Sequence, residues 1–205
     1  MQDFFLIFQL AILLMSVVIH EVSHGLAANL LGDPTARLSG RLTLNPIAHI
    51  DPFGSIILPI FLLFSGSGFV FGWAKPVPFN PYNLRGGKWG PALVAAAGPA
   101  SNLIVASVFA LLLRLGALPT VAAPLFAYVV VINVVLGIFN SVPLPPFDGF
   151  KIISPLLPYR LYQKAASFEA SFGLLLIPLM VIFFFFFLAG PFSVVIDFVT
   201  NFLLG

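Results

Sequence analysis

Cysteine is absent from this 205-residue sequence. That excludes disulfides, iron–sulfur clusters and thiolate zinc sites, so any metal must be held by His, Asp or Glu. Charge is nearly as scarce, at 8% of the residues against about 25% in a soluble domain. Hydrophobic residues make up 60% and the mean hydropathy is +1.10, which places most of the chain in lipid. The net charge of +2 is small and scattered, and gives no footprint for nucleic acid. The amino terminus lacks a basic n-region and a small-residue cleavage site, so the first apolar stretch is predicted to be a retained helix rather than a signal peptide. With no internal repeat and no soluble linker, the length fits a single membrane-embedded domain over residues 1–205.

What is present is a path of apolar stretches. Residues 4–31 are long enough to span with some tilt and end at Gly32-Asp33-Pro34. "RLSGRLTLNP" then alternates like a short strand. Residues 52–64 are apolar but short, and "SGSGFVFGWAKPVPFNP" is broken by Gly and Pro. Further spans are predicted at 91–114 and 121–142. Residues 150–170 carry Lys151, Arg160 and Lys164 and read as interfacial. A clear span follows at 171–189, with five phenylalanines at 183–187. The apolar stretch 191–204 is short and interrupted by Asp197, so its crossing is left open. The predicted fold class is an all-α polytopic membrane protein: a three-helix core, a re-entrant β-hairpin-like segment at about 50–75, and C-terminal hydrophobic helices.

The first span holds three ionisable residues, in "VVIHEVSHGLA". Such groups are costly inside a membrane and mark a functional site. His20 and His24 are four apart, hence on one helix face about a turn from each other. Two imidazoles so placed can grip one zinc ion, with Glu21 beside it as a base for water. A hydrolytic zinc site needs a third protein ligand and one open position. The remaining histidine, His49, lies in the polar interval. The carboxylates away from the motif are Asp3, Asp33, Asp51, Asp148, Glu169 and Asp197. Asp148 is the best of these, because "NSVPLPPFDG" bends the chain at the end of a span and presents one acid there. Irregular backbone at membrane depth is tolerated only inside protein or beside a wet cavity. His49 and Asp51, two apart in a loop, have the residue types to bind a metal, but are more simply read as organising the β-like segment or the cytoplasmic entrance. Asn140 is read either as a cap for free carbonyls or as a donor to an oxyanion. Asn102 is read as a packing and helix–helix hydrogen-bonding residue.

"HEVSH" in the first span, "GPASN" at 98–102 and "NSVPLPPFDG" at 140–149 resemble the site-2 protease family of intramembrane zinc metalloproteases. The resemblance covers most of the chain, and "LNPIAHIDPFG" and "GWAKPVPFNP" are similar to its short prokaryotic subgroup. It implies zinc bound by His20, His24 and Asp148, Glu21 as catalytic base, and Asn140 in substrate or transition-state contacts. It also implies a transmembrane protein as substrate. The PDZ and CBS domains of many relatives are not in this sequence. The expected function is a zinc endopeptidase that cuts within or near transmembrane helices. The alternatives are a metal-binding transporter and an inactive scaffold homologue. Polar groups clustered at one depth disfavour the first, and the intact ligands with Glu21 disfavour the second. Nothing in the sequence points to an oligomeric state.

The ligands must meet at one depth, so the first and the 121–142 helices should run parallel, with the 91–114 helix opposed. That requires residues 50–75 to enter and leave on one side. Arg37, Arg41, Lys75, Arg85, Lys88, Lys151, Arg160 and Lys164 then share a side against Arg114 alone, whereas a full crossing would split the basic residues three against six. The positive-inside rule prefers the first arrangement. The expected location is the cell membrane, multi-pass, with the active site toward the cytoplasmic side. Glu21 should lie roughly 15 Å along the helix from Leu31, at about 1.5 Å per residue.

Overall fold

The computed structural model describes residues 2–64, 73–164, 167, 168, 171 and 189–205. Helix α1, Gln2–Leu30, runs through the HExxH motif and stops before Gly32. A short helix α2, Thr35–Leu38, and single turns lead to α3, Leu58–Phe64. The long α4, Trp89–Arg114, and α5, Ala123–Asn140, follow. Helix α6, Asp148–Ile153, comes after the proline-rich bend, and α7, Ala189–Leu204, closes the chain. The described residues are helical or irregular, without a strand. Among the described residues, three helices are long and apolar enough to cross a membrane: Ile7–Leu30, Trp89–Arg114 and Thr120–Asn140. Their ends lie within a few residues of the predicted spans. Most of the predicted span at 171–189, including the phenylalanine run, falls outside the described residues, as does Glu169.

The three long helices form the core that carries the site. Along α1, His24 meets Val94 of α4, and both His20 and Ser16 meet Asn102. Moving back along α1 is moving forward along α4, so the two are antiparallel. Asn102 meets Asn133 of α5, and Gly137 packs on Pro99 and Leu103. Helix α5 therefore opposes α4 and parallels α1, as the expected meeting of ligands requires. The other half of the α4–α5 pair is apolar. There Ala106, Ala110, Val130 and Val134 are buried, with Ile196, Val199 and Leu203 of α7 packed on them. Helix α7 has 16 residues, about 24 Å of helix, against roughly 30 Å of hydrocarbon in a bilayer. Asp197 is exposed on it.

The strand-like "RLSGRLTLNP" is not a strand. It is the end of α2, an irregular stretch, and the start of a 3-10 turn at Pro46–His49. The period-2 reading assumes that leucines turn inward, but Leu38 and Leu44 are exposed while Arg41 is buried. Arg41 Nη2 turns inward to donate to Lys75 O at 2.7 Å and Pro76 O at 3.3 Å. Of the 50–75 segment, Pro52–Ile57 and α3 are helical and residues 65–72 lie outside the described residues. Its two ends lie side by side. Trp73 N–H donates to Gly54 O at 3.1 Å, and Lys75 N–H to His49 O at 2.9 Å.

Asp33, fully buried, ties the end of α1 to the segment before α4. Its carboxylate accepts from Asn80 N (2.6 Å), Thr35 Oγ1 (2.6 Å), Asn83 Nδ2 (2.9 Å) and Thr35 N (3.3 Å). Burial alone would raise the pKa of this acid, but the four donated hydrogen bonds outweigh it and hold the pKa below the ordinary carboxylate value. A depressed folded-state pKa contributes stability above the unfolded value of about 3.9, and that stability is lost as the pH falls through the folded value. We expect Asp33→Ala, which orphans these donors, to lower stability at neutral pH by about 2–4 kcal/mol. Its thermal melts should also lose part of the wild-type destabilisation at acid pH. Unchanged melts across that range would contradict this role.

Candidate metal centre

The HExxH spacing puts His20 and His24 on the face of α1 turned to α4. His20 Nδ1 lies 2.6 Å from Asn102 Oδ1, and His24 Nδ1 lies 2.7 Å from the carbonyl of Val94. Both partners are acceptors, so both Nδ1 atoms donate. In a neutral imidazole the other nitrogen then carries a lone pair. The two Nε2 atoms are 3.0 Å apart, and Asp148 Oδ2 lies 3.0 Å from His20 Nε2 and 3.2 Å from His24 Nε2. Lone pairs so crowded repel unless a cation sits among them. The supply of donors selects the cation. Two imidazoles and one carboxylate, with ligand atoms within 4.8 Å of one another, are a set that tetrahedral zinc accepts with a fourth position open. Among the described residues this is the one group of three or more such side chains able to share a metal ion.

Asp148 reaches the pair because the bend after α5 turns the chain back toward α1. It is the first residue of α6. Gly149 follows because that turn lies against the backbone of Ser141 and Val142, where an added Cβ would overlap both carbonyl oxygens. A cavity of about 200 Å³ opens at the cluster, lined by His20, Glu21, His24, Asn140, Asp148 and Lys151 on its polar side. Pro76, Val77, Phe79, Val94, Ala95 and Pro146 complete the wall. Glu21 is held in it by Val77, whose N–H donates to Glu21 Oε2 at 2.9 Å. Since Arg41 grips the carbonyls of Lys75 and Pro76, the backbone that presents this N–H is itself anchored.

No protein-family model and no solved structure matches this sequence. Curated relatives do. A protein of Bacillus subtilis, named "Putative zinc metalloprotease YwhC", is 40% identical over 77% of this chain and 73% of its own length. The chain belongs to the site-2 protease family. Proteins named "Putative zinc metalloprotease Rip2" from Mycolicibacterium smegmatis and Mycobacterium tuberculosis are 29% and 28% identical. They match over 82% and 87% of this chain, and over 64% and 67% of their own lengths. Together with the three apolar helices, this membership makes the chain a multi-pass membrane protein.

Within this site-2 protease homologue, the residues singled out in the sequence sort themselves by contact. His20, His24 and Asp148 converge, and Glu21 and Asn140 line the same cavity. One N–H of the Asn140 amide goes to its own helix, at Leu136 O, 3.0 Å away. His49 stays out of the cluster. It is buried, and its Nε2 faces Thr43 O at 2.9 Å. Asp51 accepts from the N–H groups of Phe53 and Gly54 at 3.1 and 2.6 Å, capping the turn that starts there. Lys151, on the segment read as interfacial, lines the cavity.

Sequence reasoning missed the contact of Asn102 with His20, the Val77 latch on Glu21, and Asn133. An amide inside the apolar run "VVVINVVLG" needs a partner, and that signal was available at Asn133. Gly98 was also passed over. A Cβ there would lie 2.6 Å from His20 Cε1 and closer still to His24 Nε2. The glycine of "GPASN" is thus what lets α4 approach the histidine pair. We expect Gly98→Ala to cost about 1–3 kcal/mol through overpacking. Zinc content measured on the purified protein should fall as the imidazoles are pushed apart. Full zinc occupancy in this variant would contradict the tight fit.

Proposed function

We propose that the chain is a membrane-embedded zinc endopeptidase that hydrolyses peptide bonds within or near the transmembrane helices of other membrane proteins. The observation that carries this reading is the convergence of His20, His24 and Asp148 beside Glu21, in a cavity walled by long apolar helices. His20, His24 and Asp148 would hold zinc, which when bound supplies a Lewis acid that polarises a carbonyl and makes water acidic near neutral pH. Glu21 takes the proton of the attacking water on its carboxylate and passes it to the leaving amine. Asn140 uses its second amide N–H to donate to the oxyanion of the tetrahedral intermediate, a contribution typically of about 3 kcal/mol. Peptide bonds in a helix are shielded by their own hydrogen bonds, so the substrate helix unwinds locally before attack.

The distribution of basic residues supports a cytoplasmic orientation of the site in the cell membrane, with the amino terminus outside. The adjacency of Gly54 and Trp73 supports a re-entrant path for 50–75. Co-expression with a panel of single-span membrane proteins, with and without a zinc chelator, tests the function. Chelator-sensitive cleavage of a panel member within or next to its span is the expected result. Bound zinc with every panel member intact would instead favour a metal-binding protein without hydrolytic activity.

A further inference from the structure

We infer that Asn102 is the positioning residue that fixes His20 in its metal-binding form, and that Asn133 and Ser16 hold Asn102 to that task. The inference rests on the zinc reading above. An asparagine amide can present either end to a neighbour, so the orientation of Asn102 has to be set by groups with a single polarity. Two backbone carbonyls do this. Ser16 O lies 3.2 Å from Asn102 Nδ2, and Val129 O lies 2.9 Å from Asn133 Nδ2. A carbonyl only accepts, so both amides must turn their nitrogens toward these oxygens. Asn133 then offers its Oδ1 to the remaining N–H of Asn102, at 2.8 Å, and donates to Ser16 Oγ at 2.9 Å. One atom of Asn102 is left, its Oδ1, and it faces His20 Nδ1 at 2.6 Å.

His20 must therefore carry its proton on Nδ1 and turn the lone pair of Nε2 toward His24 and Asp148. The reverse tautomer would set a ring lone pair against the amide oxygen. Ser16, Asn102 and Asn133 are all buried, at 4%, 0% and 0% exposure, so no water competes for these groups. Gluing helices together would need only the Asn102–Asn133 pair. The arrangement goes further, since each donor of the pair is used up in a way that leaves one acceptor for the histidine. Residues that orient a metal-bound histidine in this way typically change metal affinity about 10–100-fold when lost.

The test separates acceptor from bulk. Asn102→Leu keeps the volume without the oxygen. Asn102→Asp keeps an oxygen for His20 but cannot donate to Asn133 and Ser16. Zinc affinity of the purified full chain is measured by competition with a chromogenic chelator, alongside thermal melts. A positioning role predicts a loss of roughly 10–100-fold in zinc affinity for Asn102→Leu and for Asn102→Ala. Asn102→Asp should stay close to wild type in affinity even where its melt is lower. A packing role predicts the opposite order, with Leu benign and Asp harmful. Wild-type affinity in Asn102→Leu or Asn102→Ala, or a loss in Asn102→Asp equal to theirs, would overturn the inference. Should Asn102→Leu fail to fold, the Ala and Asp variants decide the question alone. Wild-type protein that binds no zinc would instead overturn the metal reading, and this inference with it.

Discussion

Replacing Glu21 by Gln should abolish cleavage and leave zinc content at the wild-type level. Glu21 is not among the three atoms that converge on the metal position, so the ligand set is untouched. Its place in the cavity depends on accepting the N–H of Val77 at 2.9 Å, and the carbonyl oxygen of glutamine can accept the same bond. Shape and position are thus retained while basicity is lost. General-base catalysis contributes about 10²–10⁴-fold, so turnover of a tagged membrane substrate in detergent should fall at least that far. Zinc measured on the same preparation makes the comparison internal. Turnover within a few-fold of wild type would mean that another group accepts the proton, and the mechanism would have to be reassigned.

Asp148→Ala is expected to lose both metal and activity. The carboxylate is the only anion in the cluster, and its Oδ2 contacts both Nε2 atoms, at 3.0 and 3.2 Å. Without it two neutral imidazoles face one another, and two nitrogen ligands do not make a structural or catalytic zinc site of the usual three or four. Zinc should therefore be recovered at a small fraction of the wild-type content, with hydrolysis undetectable. Asp51→Ala and Asp197→Ala serve as controls and should retain zinc. Asp51 caps a turn, so its loss should appear as about 1 kcal/mol of stability. Asp197 is exposed on α7. Equal zinc in Asp148→Ala and these controls would remove Asp148 from the ligand set.

Much of the site was legible because its chemistry is tied to short-range spacing. Residues four apart on a helix share a face whatever the helix packs against, so His20 and His24 could be paired on sequence grounds. Asp148 was legible for a different reason. Few acids exist in so apolar a chain, and the one beside a proline-rich bend at the end of a span had the means to reach a metal. The strand-like reading of "RLSGRLTLNP" failed because alternation alone does not decide which side chains turn inward when a polar one meets buried carbonyls. Here Leu38 and Leu44 face outward while Arg41 turns in to donate to the carbonyls of Lys75 and Pro76.

Taken alone, the sequence determined that the chain is a membrane protein, where the three long helices of its core run, and that two histidines and a glutamate on one of them form an HExxH motif. Hydropathy and helical period are local properties, and they survive any packing. Only the tertiary structure decided that Asn102 and Val94 hold the two imidazole rings, that Gly98 makes room for them, and that Val77 holds Glu21. These contacts join residues 56 to 82 positions apart. An amide, a backbone carbonyl or a glycine has no fixed role in a sequence. Each acquires one from the neighbour it meets when antiparallel helices bring distant backbone together.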